Sequence, residues 1–130
     1  MAFSGTYDRA KFYPAAPVIE VNLSIPGQAG MPSVAAQALL DSGADMTVIP
    51  HTLVDQLQLR LVDVTQTSSY DGVQREEIIY SVRLSIPSVG SHGNILRVLS
   101  SKLDFVLLGR DVLNDWELLL DGKNQVFRIS

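Results

Sequence analysis

The chain has 130 residues, 46% of them hydrophobic and 18% charged, which is enough apolar material for one buried core and too little length for two ordinary domains. Ten Lys and Arg against fourteen Asp and Glu leave a net charge of -4, the wrong sign for a surface that neutralises phosphates, so nucleic acid is not expected as a partner. Cys is absent, which excludes a disulfide framework, a thiol nucleophile and Cys-ligated zinc; His51 and His92 do not sit in metal-ligand spacing, so neither metal nor cofactor is expected.

No run approaches the roughly 20 apolar residues of a membrane span, and 1–14 lacks the apolar stretch of a secretory signal, so the expectation is a cytoplasmic chain with no membrane contact. Residues 1–16 mix polar, basic and aromatic types without period and read as a loosely ordered N-terminal arm, leaving 17–130 as the domain. From Val18 to Ile25 the pattern alternates, with Ile19, Val21, Leu23 and Ile25 on one face and Glu20, Asn22 and Ser24 on the other. This predicts a strand with one wet face. After the turn-forming Pro26-Gly27-Gln28-Ala29-Gly30, Val34 to Leu40 is apolar at nearly every position, as in a strand covered on both sides.

That strand stops at Asp41-Ser42-Gly43-Ala44-Asp45, and a second apolar stretch runs from Met46 to Ile49. Pro50 to Leu59 carries Leu53 and Leu57 at helical spacing, with Pro50 where a helix start tolerates it. Val62 to Thr67 reads as a strand, Asp71-Gly72 as a hairpin signal, and Ile78, Tyr80, Val82, Leu84 and Ile86 alternate strictly, which together predict a long polar-tipped hairpin around Gly72. A loop over Pro87–Gly93, a strand over Ile95–Leu99 and a short buried run over Phe105–Leu108 follow. Val112, Leu113 and Trp116 share a helical face. Glu117–Leu120 and Gln125–Ile129 form a terminal hairpin about Asp121-Gly122-Lys123-Asn124, a turn rather than a calcium loop because the other ligands of such a loop are missing. The chain is therefore expected to be all-β apart from two short helices. Leu39-Leu40-Asp41-Ser42-Gly43 and Leu107-Leu108-Gly109-Arg110-Asp111 form a weak internal repeat.

A carboxylate at the end of a buried strand is partly desolvated, and Gly43 and Ser42 beside it permit close backbone approach and a hydroxyl bond. Alone, Asp41-Ser42-Gly43 is equally a strand-ending turn. Acid/base hydrolysis needs a second carboxylate, because two like charges in contact share one proton and so divide into an acid and a base. No second Asp-Ser-Gly or Asp-Thr-Gly exists in the chain, so the partner acid must come from a second copy across a two-fold axis.

The segment from Ala38 to Ile49, followed some sixty residues later by Val106 to Leu113, resembles the retropepsin family of aspartic proteases over roughly Val18 to Ile129. The resemblance implies a retropepsin-like acid protease half-barrel that works as a homodimer on an extended peptide or protein substrate. It implies that Asp41 is the catalytic aspartate and that Ser42 hydrogen-bonds across the dimer axis. Gly43, Ala44 and Asp45 would hold substrate backbone, and Arg110 would pair with Asp45. Tyr70, Asp71, Gly72 and Val73 would form the tip of a flap over the peptide, and Gln125–Ile129 would join an inter-subunit sheet. At position 44 pepsin-like relatives carry Ser or Thr, whose hydroxyl lowers the pKa of the catalytic acid. Ala44 offers none, which implies a mildly acidic optimum above that of pepsin-like enzymes. The alternatives are a weak or inactive dimerisation or peptide-binding module of the same fold, and an unrelated β domain in which Asp41 is structural.

Overall fold

The computed structural model describes residues 2–27, 33–68 and 71–130, and Tyr70, expected at the tip of the flap, lies outside them. Among the described residues, ten strands and two short α-helices follow in order: β1 (Phe3–Asp8), β2 (Ala16–Ser24), β3 (Val34–Leu40), β4 (Val48–Pro50), α1 (His51–Leu57), β5 (Leu61–Ser68), β6 (Gln74–Ser85), β7 (Asn94–Ser101), β8 (Val106–Leu108), α2 (Arg110–Leu113), β9 (Leu118–Asp121) and β10 (Val126–Ile129). A single 3-10 turn, Pro87–Val89, interrupts the loop between β6 and β7.

The strands form one sheet in the order β5-β6-β7-β4-β8-β3-β2-β1-β10-β9, and the end of β2 also pairs with β6 through Asn22↔Ser85, Leu23↔Leu84 and Ser24↔Arg83. That extra pairing closes β2, β3, β8, β4, β7 and β6 into a ring. The interior of the ring is filled by the residues that alternate inward, among them Val21, Leu23, Ile49, Val82, Val98, Val106 and Leu108, all of them fully buried. Burying one such side chain stabilises the fold by about 1.5–3 kcal/mol relative to leaving it in water. β2 keeps its predicted wet face, since Glu20 is exposed between buried Ile19 and Val21.

β3 departs from the expectation of cover on both sides. Ala35 and Gln37 are exposed and only Ala38 and Leu40 are buried. The cause is the length of its neighbour: β8 has three residues and pairs in parallel only with Ala38, Leu39 and Leu40. The two halves of the weak repeat are those paired segments, so their two turns emerge side by side.

The loosely ordered arm expected over 1–16 is corrected by the structure. Phe3–Thr6 pairs antiparallel with β10, and Tyr7 and Asp8 pair with the start of β2. No period is visible in the sequence because the strand's inward face is made of Phe3, Gly5 and Tyr7, all half-buried, which hydropathy alone does not join. Beyond the strand, Asp8 accepts the backbone N–H groups of Ala10 (2.7 Å) and Lys11 (3.0 Å), and the Lys11 bond is the main reason its carboxyl is held below the ordinary 3.8. Phe12 then packs edge-on against Phe105, with ring centroids 4.9 Å apart.

The hairpin around Gly72 is formed by β5 and β6, which pair from Leu61↔Tyr80 to Ser68↔Gln74 with a shift of register between Leu61 and Asp63. Gly72 has φ +84, a conformation that costs a side chain about 1–2 kcal/mol and that glycine adopts freely. Among the described residues, no helix is long and apolar enough to cross a membrane.

Candidate active site

Asp41 is the first residue beyond β3, and its backbone N–H donates to the Leu108 carbonyl at 3.0 Å, which ties the turn to the end of β8. The side chain is half-buried. Its Oδ1 accepts the Gly43 N–H at 3.0 Å, and the Ala44 N–H donates to the Asp41 carbonyl at 3.2 Å. Among the described residues, Oδ2 receives no hydrogen bond. A carboxylate fixed through one oxygen and open at the other is suited to taking up or giving a proton.

The loop after Asp41 is held by the turn after β8. The Arg110 N–H donates to the Ala44 carbonyl at 2.9 Å, and its guanidinium forks between the Ser42 carbonyl (Nη1, 2.7 Å) and Asp45 Oδ1 (Nη2). The Arg110 and Asp45 side chains are 41% and 84% exposed, so their ion pair adds little stability and serves chiefly to set the loop's shape. Replacing Arg110 with Lys is expected to change unfolding free energy by less than about 1 kcal/mol, although an ammonium cannot span both acceptors, because the ion pair is exposed. Urea denaturation checks that expectation.

Three residues without an assigned role complete the cluster. Thr47, fully buried, donates its N–H to Asp111 Oδ2 (2.9 Å) and its hydroxyl to Asp111 Oδ1 (2.8 Å), and its Oγ1 accepts the Gly109 N–H at 3.2 Å. Thr47 is the one buried polar or charged residue among the described residues, so its satisfaction by a carboxylate is what makes its burial tolerable. Gly109 lies against the other turn so closely that a Cβ there would meet the Met46 carbonyl carbon at 2.7 Å. The sequence signals were a lone Thr inside Met46–Ile49 and an acid directly after Arg110.

The expected site residues thus fall into two groups. Asp41, Ser42, Gly43, Ala44, Asp45 and Arg110 share one pair of turns, with Ser42 and Asp45 exposed. Asp71, Gly72 and Val73 belong to a separate element, the β5–β6 tip, where Asp71 Oδ1 accepts the Val73 N–H at 3.1 Å. The described residues contain no cluster of three or more potential metal ligands.

A family model described as "gag-polyprotein putative aspartyl protease" matches residues 28–115, a span that holds both turns and the hairpin. The chain belongs to this aspartyl protease family. Its fold is retropepsin-like. A retropepsin-like aspartic protease from Rickettsia conorii superposes with a TM-score of 0.66 at 15% identity, covering 99% of this chain and 90% of that one. The EIAV protease in complex with the inhibitor HBY-793 gives 0.59 at 23% identity over 85% and 93%, and the simian foamy virus (mac) protease gives 0.55 at 18% over 75% and 92%. At these identities the likeness is one of fold. The Gag-Pro polyprotein of human T-cell leukemia virus 2 is 55% identical over 38 residues, which is 29% of this chain and 6% of that polyprotein. This family member therefore spans a small part of the length of the curated relatives it matches.

Proposed function

We propose that this aspartyl protease family member is a homodimeric endopeptidase in which two Asp41 carboxylates, one from each subunit, activate a water for attack on a peptide bond. The observation that carries the reading is the setting of Asp41: a half-buried carboxylate, pinned through Oδ1 and open at Oδ2, on a turn braced by Arg110, Thr47 and Asp111. Two such acids in contact share one proton. The ionised one takes a proton from water as the oxygen attacks the scissile carbonyl carbon, and the protonated one gives its proton to the carbonyl oxygen. The resulting gem-diol collapses with cleavage of the C–N bond and transfer of a proton to the amine nitrogen.

Ser42 would hydrogen-bond across the two-fold axis. Gly43, Ala44 and Asp45 would bind the main chain of an extended peptide, and the tip with Tyr70, Asp71, Gly72 and Val73 would close over it and exclude water. The partners are then a second copy of the chain and a peptide or protein substrate, with no cofactor required.

The test is cleavage of a peptide library between about pH 3 and 7 by the purified chain and by Asp41→Asn, read by mass spectrometry. With Ala44 offering no hydroxyl to the carboxylate, the rate is expected to peak under mildly acidic conditions. A maximum near about pH 2 would contradict that expectation.

A further inference from the structure

A cavity of about 200 Å³ lies between α2 and the β6–β7 pair, and none of Asp41–Asp45, Arg110 or the β5–β6 tip lines it. Its floor is apolar. Leu84 and Leu96 share one face of the strand pair, because Leu84 stands opposite Asn94 and Val82 opposite Leu96, and Ile86 and Val89 continue that surface into the 3-10 turn. Trp116, half-buried, supplies an aromatic wall.

Asp111 and Asp115 are the charged residues that line the cavity, and both are acids. They lie four apart on one helical turn that runs past α2, where the Asn114 N–H donates to the Arg110 carbonyl and the Asp115 N–H to the Val112 carbonyl, each at 3.1 Å. That spacing sets two like charges side by side, which is unfavourable without a cation. Each Asp111 oxygen accepts one bond from Thr47 and keeps a second lone pair. Among the described residues, no hydrogen bond or ion pair reaches the Asp115 carboxylate.

We infer that this cavity binds a small organic ammonium ion, with its apolar body on Leu84, Ile86 and Leu96 and its charge between Asp111 and Asp115, beside the Trp116 ring. The cation relieves the repulsion of the two acids, forms charge-assisted bonds to them and is attracted by the indole face. A carboxylate ligand would meet like charge there. A dry cavity of about 150 Å³ accepts a benzene-sized molecule, so the space suits one ring with a short amine arm. Occupancy requires neither catalysis nor a second copy, yet it reaches the candidate active site through Asp111, whose partner Thr47 holds Gly109.

The chain has one Trp, so Trp116 gives a single indole N–H signal in a proton–nitrogen NMR spectrum of the whole protein. Titration with phenethylamine at about pH 7, where the amine is protonated, is expected to shift that signal and the amides of the lining residues saturably, with a dissociation constant on the order of a millimolar. Phenethyl alcohol, which has the same shape without the charge, is expected to bind about tenfold more weakly or worse, and hydrocinnamate not at all. Asp115→Asn, an exposed change of nearly equal volume checked for folding by circular dichroism, is expected to weaken the amine about tenfold and leave the alcohol unchanged. Equal affinity for amine and alcohol, or an amine affinity that Asp115→Asn does not alter, would overturn the ammonium site. So would the absence of any saturable shift up to about 20 mM amine.

Discussion

Replacing Asp41 with Asn is expected to lower kcat/KM for peptide cleavage by about a thousandfold or more, because the substitution removes both the base and the acid of the proposed pair. The fold should survive. The Asn side-chain oxygen can still accept the Gly43 N–H, the one hydrogen bond that Asp41 Oδ1 receives, and the backbone bond to Leu108 is untouched. The thermal midpoint should therefore move little while activity disappears. Equal cleavage by both proteins would assign the activity to another group or to a contaminant and would leave Asp41 as a turn residue.

Replacing Gly109 with Ala is expected to have the largest effect on stability, about 3 kcal/mol or more in urea unfolding. Gly109 has φ -88 and ψ -175, which any residue adopts, so the cost is one of space. An added methyl would stand 2.7 Å from the Met46 carbonyl carbon, 2.8 Å from its oxygen and 3.0 Å from the Ala44 oxygen. All three are backbone atoms and cannot swing aside. Relief requires the two turns to part, which stretches the bond from Gly109 N–H to Thr47 and that from Arg110 N–H to Ala44. Activity should fall with stability, since the displaced turn is the one that carries Asp41. A change under about 0.5 kcal/mol would show that the turns are less tightly joined than their geometry indicates.

Local pattern made most of the sheet legible. Strict alternation in Val18–Ile25 and Ile78–Ile86 marks β2 and β6 because side chains in a strand change face at every residue, and the Asp-Gly pair marks the hairpin between β5 and β6. What pattern cannot carry is pairing between distant segments. Phe3–Asp8 looks irregular until β10 lies beside it, and the terminal hairpin does not reveal that β1 takes its free side. The same limit applies to the candidate site. Asp41 stands out as an acid closing a buried strand, whereas Thr47 and Asp111 are 64 residues apart and neither reads as functional alone. Asp45 and Arg110 were joined only by likeness to a family. Gly109 reads as a turn glycine, yet it is required by the close approach of a second chain segment rather than by its own dihedral angles.

Mixing subunits tests most directly whether one active site is built from two chains. Wild type and Asp41→Asn are combined in equal amounts at fixed total concentration, allowed to exchange, and assayed on a cleavable peptide. If both carboxylates of a site must be Asp41, random pairing leaves about a quarter of the dimers intact, and activity falls to about a quarter of that of wild type at the same total concentration. Activity of about one half, in simple proportion to the wild-type chains present, would mean that each chain works with its own Asp41 alone and would contradict the shared-proton site.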